Sequence, residues 1–240
     1  MGDNLPHLTA RLALVASFVR RGVPVADIGT DHAYLPVFLV NSGASPSAVA
    51  SDVRQGPLDR AKLTARTYGA LPKITFALAD GLCGVEPSQA DDVVIAGMGG
   101  ELVASIISCC EWLRNPQKHL VLQPMTAQEE LRKFLCENGY TIEKEAVATE
   151  KHDRKLYLVM SVCYSGEKRE ADPLYCASGE LVNTEGEDTR AYLQAKARSL
   201  YKKAVGLRKA KIENKDEAES EAEKAQALAD KLMQISENLK

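Results

Sequence analysis

Three acids, Asp27, Asp52 and Asp80, sit at or just beyond the ends of short apolar runs: Val25 to Ile28, Ala48 to Asp52 and Ile74 to Ala79. In an open α/β sheet the ligand crevice lies outside the carboxyl ends of the strands. Acids at three successive strand ends therefore face one crevice. The first run turns at Gly29, whose missing Cβ lets the backbone approach a ligand. Asp31, His32 and Tyr34 follow in the loop, and Pro36 suits the first turn of the next helix. Asp52 lies close to the ~20 residues that separate such a glycine turn from a ribose-binding acid. It is placed, with Val53 beside it, to accept hydrogen bonds from ribose hydroxyls. Asp80 is placed to hold an adenine amino group, and Gly81 leaves room for the ring. No dinucleotide fingerprint is present, because Gly29-Thr-Asp-His-Ala-Tyr34 offers no second or third glycine to admit a pyrophosphate.

The elements that must position these residues alternate. Leu5, Leu8, Leu12, Val15 and Val19 recur at helical spacing before a stop at Gly22. Further helices are expected near Leu35 to Asn41, from Gly56-Pro57 to Gly69, from Leu102 to Leu113, and from Glu129 to Cys136. A fourth strand, Asp92 to Ala96, runs into Gly97-Met98-Gly99-Gly100, and a fifth, Leu120 to Leu122, ends in Gln123-Pro124. Strands alternating with helices predict a parallel, doubly wound α/β sheet. After Gly139 the rhythm changes. Tyr140 to Thr149 and Leu156 to Tyr164 are extended runs joined only by Glu150 to Lys155, which permits an antiparallel pair and nothing else. The expected fold is a mostly parallel, Rossmann-like sheet of seven strands with an antiparallel last strand. This resembles the class I S-adenosylmethionine-dependent methyltransferases and departs from dehydrogenases, whose sixth strand is parallel.

Residues 166–186 read as a polar connector. Beyond them Leu193, Ala197, Leu200, Ala204 and Leu207, then Ala225, Leu228, Leu232, Ile235 and Leu239, step by fours and threes, a heptad seam. Between the two halves the seam turns too polar to bury, at Lys211, Asn214, Ala218 and Glu221. That predicts an antiparallel, coiled-coil-like helical hairpin with its turn in Ile212 to Ser220. The arms would be about 30–37 Å long. One continuous helix is the alternative, since neither Gly nor Pro marks the break. The expected division is 1–165, a methyltransferase domain; 166–186, a connector; and 187–240, the hairpin.

The net charge of −3 gives no global basic signature, so a nucleic-acid surface has to be local. The first arm supplies one: from Arg190 to Lys211 it carries eight Lys and Arg and no acid. The N-terminus lacks the layout of a signal peptide, and no apolar run approaches the ~18–20 residues of a membrane span. Six cysteines without a Cys-x-x-Cys pair read as reduced core residues, with no metal site expected. The protein reads as cytoplasmic.

The strings Ala26-Asp-Ile-Gly-Thr-Asp-His-Ala-Tyr-Leu-Pro36, Asp52-Val-Arg-Gln-Gly-Pro-Leu58, Asp80-Gly-Leu82, Ile95-Ala-Gly-Met-Gly-Gly100 and Leu122-Gln-Pro124 resemble the bacterial tRNA (adenine-22-N1)-methyltransferase family across nearly the whole chain. One departure is Met125, where Asn is the commoner form. The resemblance implies S-adenosylmethionine as methyl donor, adenine N1 in the D-loop region of tRNA as acceptor, and no partner that is DNA or a membrane. Asp27, Gly29 and Asp31 would frame the amino-acid end of the donor, Asp52, Val53, Asp80 and Gly81 its nucleoside end, and Gly97, Met98 and Gly99 the floor. Adenine N1 carries an in-plane lone pair, so its methylation needs positioning and charge compensation rather than a strong base. N6-adenine methyltransferases usually place an Asn/Asp-Pro-Pro-aromatic clamp after the fourth strand, whereas residues 96–100 offer bare backbone. Asp31 is the leading candidate to stabilise the cationic product ring, with His32 and Tyr34 as orienting or stacking groups. Arg54, Lys202, Lys203, Arg208, Lys209 and Lys211 are the candidate tRNA contacts. Two alternatives stay open on the residues alone. One is a small-molecule methyltransferase with a dimerising hairpin, and the other a noncatalytic, S-adenosylmethionine-sensing RNA-binding protein.

Overall fold

A computed structural model describes residues 5–150, 154–209 and 215–239. Its sheet has seven strands in the order β3-β2-β1-β4-β5-β7-β6. The strands are β1 (Val25–Ile28), β2 (Ala48–Asp52), β3 (Ile74–Leu78), β4 (Asp92–Gly99), β5 (His119–Thr126), β6 (Tyr140–Thr149) and β7 (Leu156–Tyr164). The first five are parallel, and β7 lies antiparallel between β5 and β6. The strand order reverses between β1 and β4, which pair with each other, so the connections leave their carboxyl ends in opposite directions and open the crevice expected of this topology. β1 and β2 are buried throughout, which is why they read as unbroken apolar runs ending in an acid.

Helices α1 (Ala10–Phe18), α2 (Tyr34–Asn41), α3 (Gln55–Thr67), α4 (Gly100–Ser108) and α5 (Gln128–Glu137) cover the sheet. Two differ from the periodicity. The helix expected from Leu5 begins at Ala10, because a residue before proline disfavours helix at Leu5-Pro6 and Thr9 accepts the Leu12 amide through its hydroxyl at 3.3 Å. The helix expected to reach Leu113 stops at Ser108 and resumes as a 3₁₀ turn at Glu111–Leu113. In turn β4 continues through Gly97-Met98-Gly99 with two register shifts against β5, beyond the strand end expected at Ala96.

The connector is the larger correction. It contains α6 (Pro173–Ser178), capped by Asp172 Oδ1 on the Leu174 and Tyr175 amides, and a 3₁₀ turn at Gly179–Asn183. Beneath it lies a fully buried ion pair. Arg132 Nε of α5 donates to Glu145 Oε1 of β6 at 2.9 Å, Arg132 Nη1 donates to the Cys176 and Ala177 carbonyls, and Glu145 Oε2 accepts the Glu180 amide at 2.6 Å. A polar composition concealed this segment because its anchors come from two distant elements.

Helices α7 (Glu187–Lys209) and α8 (Lys215–Asn238) are separate and antiparallel. Arg190 Nη2 donates to the Leu239 carbonyl at the root, and Arg208 Nε to Glu219 Oε1 at 2.9 Å toward the tip. The hairpin reading stands over the single-helix alternative. Its second arm starts earlier than expected, however, and Ala218 and Ala222 are buried along with Ala225, Ala229 and Leu232. Small side chains at these positions and at Ala197 and Ala204 let the two helices approach closely. Leu193 and Leu232 belong to the same apolar cluster as the sheet, so the root of the hairpin is continuous with the core. All six cysteines are free, but Cys83 and Cys109 are exposed rather than part of the core. No helix among the described residues is long and apolar enough to cross a membrane.

Candidate active site

The turn after β1 builds the centre of the site. Gly29 adopts φ +78, a backbone that L side chains rarely take, and a Cβ there would drive into Met98 Cε. The Gly29 and Thr30 amides both donate to the Ser51 carbonyl, at 2.8 and 2.9 Å, which locks the turn onto β2. Ala33 then takes a left-handed conformation, φ 53, uncommon for a residue with a side chain, and starts α2. That kink sets the His32 and Tyr34 rings face to face, with centroids 5.4 Å apart and planes 9° from parallel. Asp27, Gly29, Asp31, His32, Tyr34 and Gly97 all line one open cleft of about 410 Å³.

Two further residues hold this cleft together. Arg11 of α1 lines it from above and donates through Nη1 to Gln123 Oε1 at 2.9 Å. The same fully buried Gln123 oxygen accepts the Gly97 amide at 3.1 Å, so one side chain holds both the roof and the floor. The α1 end is fixed in turn by Glu150, which accepts the Arg11 amide at 2.9 Å. That amide, with the Thr9 hydroxyl and the Ala10 amide, holds the Glu150 carboxyl below its ordinary range.

Asp27 is buried, and burial pushes its carboxyl up to about 6; Thr30 and Arg11 pull it down, and Asp52 adds to the rise. Asp31 is different. Its side chain is 60% exposed at the lip, where it pairs with Arg60 of α3 (Nε to Oδ1 at 3.0 Å) and lies 3.6 Å from His32 Nε2.

The nucleoside-type acids stand apart from this cleft. Asp52 is buried at the end of β2, and its Oδ1 accepts the Arg54 amide at 2.7 Å. Asp80 and Gly81 line a second cavity of about 630 Å³ with Leu102, Ile106 and Trp112. Val53 and Leu78 at the ends of β2 and β3 are 63 and 58% exposed, and Leu102 of α4, which lines the second cavity with Asp80, is 52% exposed, large apolar surface left beside two carboxylates. Such a patch fits a flat heterocycle carrying a polar ribose. Among the described residues no group of three or more His, Cys, Asp and Glu is arranged to hold a metal.

A family model described as a methyltransferase domain matches residues 8–160. The tRNA (adenine(22)-N(1))-methyltransferase of Bacillus subtilis (strain 168) is 33% identical over 180 residues, covering 75% of this chain and 74% of that protein. This chain belongs to that family. The crystal structure of the B. subtilis m1A22 tRNA methyltransferase TrmK superposes with a TM-score of 0.83 at 25% identity, covering 95% of this chain and 99% of that one. The Streptococcus pneumoniae protein Sp1610, solved in complex with S-adenosyl-L-methionine, superposes with a TM-score of 0.80 at 28% identity, covering 95% and 100%.

Within this member of the family, the acid-bearing strand ends lie at one sheet edge, as the sequence suggested. A Cβ on Gly99 would meet Thr126 Oγ1 at 3.1 Å, so this glycine also serves the packing of β4 on β5. Arg208 is engaged inside the hairpin with Glu219 and Gln226, while Lys202, Lys203 and Lys209 are exposed. Lys211 lies outside the described residues.

The state of Asp27 makes a pH prediction. Its carboxyl stands above its usual value, so in the donor-free protein it contributes stability that is fully present below pH ~4 and lost as pH rises through about 6. A ligand ammonium needs the ionised form, so donor affinity should change in the opposite sense. Affinity should fall by up to about tenfold per pH unit below 6. Asp27→Asn is the control. Calorimetric titrations between pH 5 and 7.5 should show the dependence in the parent and a flat profile in this variant. The same slope in both would remove Asp27 from the donor site.

Proposed function

We propose that this protein transfers a methyl group from S-adenosylmethionine to N1 of adenine 22 in tRNA, and that the residues around the β1 and β2 turns carry it. The observation that carries the reading is the cleft, which a buried acid, Asp27, and a cation, Arg11, share, while Asp52 ends the neighbouring strand beside exposed apolar surface. When bound, S-adenosylmethionine supplies a methyl group on a positively charged sulfur. Asp27 takes the ammonium of its amino-acid end, with Gly29 admitting the backbone close by. Asp52 accepts from the ribose, and Asp80 and Gly81 hold the adenine, with Val53 against its face. Gly97 and Met98 form the floor, and Gln123 fixes it.

On the acceptor side, N1 lies on the pairing edge of adenine, so the base has to be presented unpaired. The stacked His32 and Tyr34 rings offer a flat, half-exposed surface for it at the mouth of the cleft. N1 has no proton to lose, and the methylated ring is a cation. Asp31 stands at the lip to stabilise that charge, held in place by Arg60. We read residues 1–165 as the methyltransferase unit, 166–186 as its link and 187–240 as the tRNA-binding arm. Arg54, 77% exposed at the start of α3, extends the basic surface to the rim of the cleft. Acting on tRNA, the protein would work in the cytoplasm.

Asp31→Ala should lower single-turnover methylation more than it lowers tRNA binding. A turnover within about twofold of the parent, under ~0.5 kcal/mol in barrier height, would exclude Asp31 from catalysis. The reading as a whole is tested with two tRNA transcripts that differ only at position 22. Labelled methyl should enter the transcript with adenine there and not the one with guanine; equal labelling of both would place the acceptor elsewhere.

A further inference from the structure

Gly206 lies in the last turn of α7, three residues before Lys209, where glycine still favours helix less than alanine does. Several other glycines of this protein have visible reasons. Gly29 needs its left-handed backbone, and a Cβ on Gly100 would strike the Ala127 carbonyl. Gly206 has no such reason: its φ is ordinary, and a Cβ built there would meet nothing within 4 Å. Nothing among the described residues accounts for the missing side chain.

Its surroundings point outward. Residues three and four apart are neighbours on a helix surface, so Lys202, Lys203 and Lys209 ring the bare backbone of Gly206. All four positions are exposed, as is Arg198 one turn before Lys202. From Arg198 to Lys209 the row runs about 16 Å along the helix. Arg208, by contrast, turns toward α8 and its acid. The arm is rooted at the same sheet edge as the cleft. The Thr149 hydroxyl at the end of β6 donates to Asp188, and Lys196 reaches Gln128 and Glu129, where α5 leaves β5.

We propose that Gly206 and its three lysines form a notch that seats the sugar–phosphate backbone of the tRNA. The absent side chain lets the strand rest against the helix, which brings its phosphates within reach of the ammonium groups. Charge alone would be served as well by alanine at this position, with a stronger helix. The notch rests on tRNA being the substrate, and it narrows the contact surface to one face of α7.

The test pairs stability with binding. Gly206→Ala and Gly206→Gln should both raise the thermal midpoint, since both residues are better helix formers. Both should also weaken binding of an unmodified tRNA transcript. The loss should be about tenfold for Gly206→Gln, the size of one charge-assisted hydrogen bond, and smaller for Gly206→Ala. Parent-like binding by Gly206→Gln overturns the notch. A Lys202→Ala/Lys209→Ala variant separates the notch from the reading beneath it, because losing two phosphate contacts should flatten the log–log salt dependence by about 1.4–1.8. If that slope falls while Gly206→Gln binds normally, the notch is wrong and the arm is still an RNA surface. If neither changes, the arm does not bind RNA and both readings fall.

Discussion

Arg132→Ala should destabilise the protein by about 3–5 kcal/mol, because it leaves the Glu145 carboxylate buried without its partner. Both side chains are wholly inaccessible, and Glu145 also holds the Glu180 amide that starts the turn leading into α7. The variant should therefore loosen α6 and the root of the arm along with global stability. The pair itself is a weak source of net stability, since the desolvation of two charges offsets most of their attraction. Accordingly Arg132→Met combined with Glu145→Leu should recover much of the loss. Urea denaturation of the three proteins checks this. An Arg132→Ala variant within ~1 kcal/mol of the parent would mean that the pair does not anchor the connector. Gly179 should be equally intolerant, since a Cβ there would collide with Glu145 Oε2 and Arg132 Nε.

Asp52→Ala should weaken donor binding at least tenfold, corresponding to about 1.5–3 kcal/mol for charge-assisted bonds to ribose hydroxyls. One carboxylate oxygen already accepts the Arg54 amide, so the alanine variant disturbs the start of α3 as well. Asp52→Asn keeps an acceptor for that amide and removes only the charge, and an intermediate affinity is expected for it. Calorimetric titration with S-adenosylhomocysteine reads both. Affinities equal to the parent's would take Asp52 out of the site.

The strand-end acids could be read from the sequence because each belongs to a local pattern: apolar run, acid, glycine, helix start. The β6–β7 reversal was equally readable, since six residues cannot cross a sheet. The roles of Arg11 and of the Gln123 side chain were not. Each is a polar residue within an otherwise apolar element, and their meaning exists only once α1 folds over the β4 and β5 ends to bring Nη1 to Oε1. The left-handed Ala33 was hidden for a related reason, because alanine gives no hint of positive φ and the surrounding packing imposes it. The connector escaped notice because its stability comes from Arg132 and Glu145, which lie outside it. In the arm, spacing predicted the seam but placed the turn too late, because Ala218 looked too isolated among polar residues to be buried. Lys202 and Arg208 looked alike as basic residues; only the fold shows that one faces outward and the other serves α8.

The central claim is methyl transfer to the ring nitrogen N1 of adenine in tRNA, made without a base and with a carboxylate at the lip of the cleft. Nucleoside analysis by mass spectrometry of an unmodified tRNA, after incubation with the protein and S-adenosylmethionine, tests it most directly. The account predicts N1-methyladenosine, confined to the fragment that contains position 22. N6-methyladenosine, or no methylated adenosine at all, would contradict it.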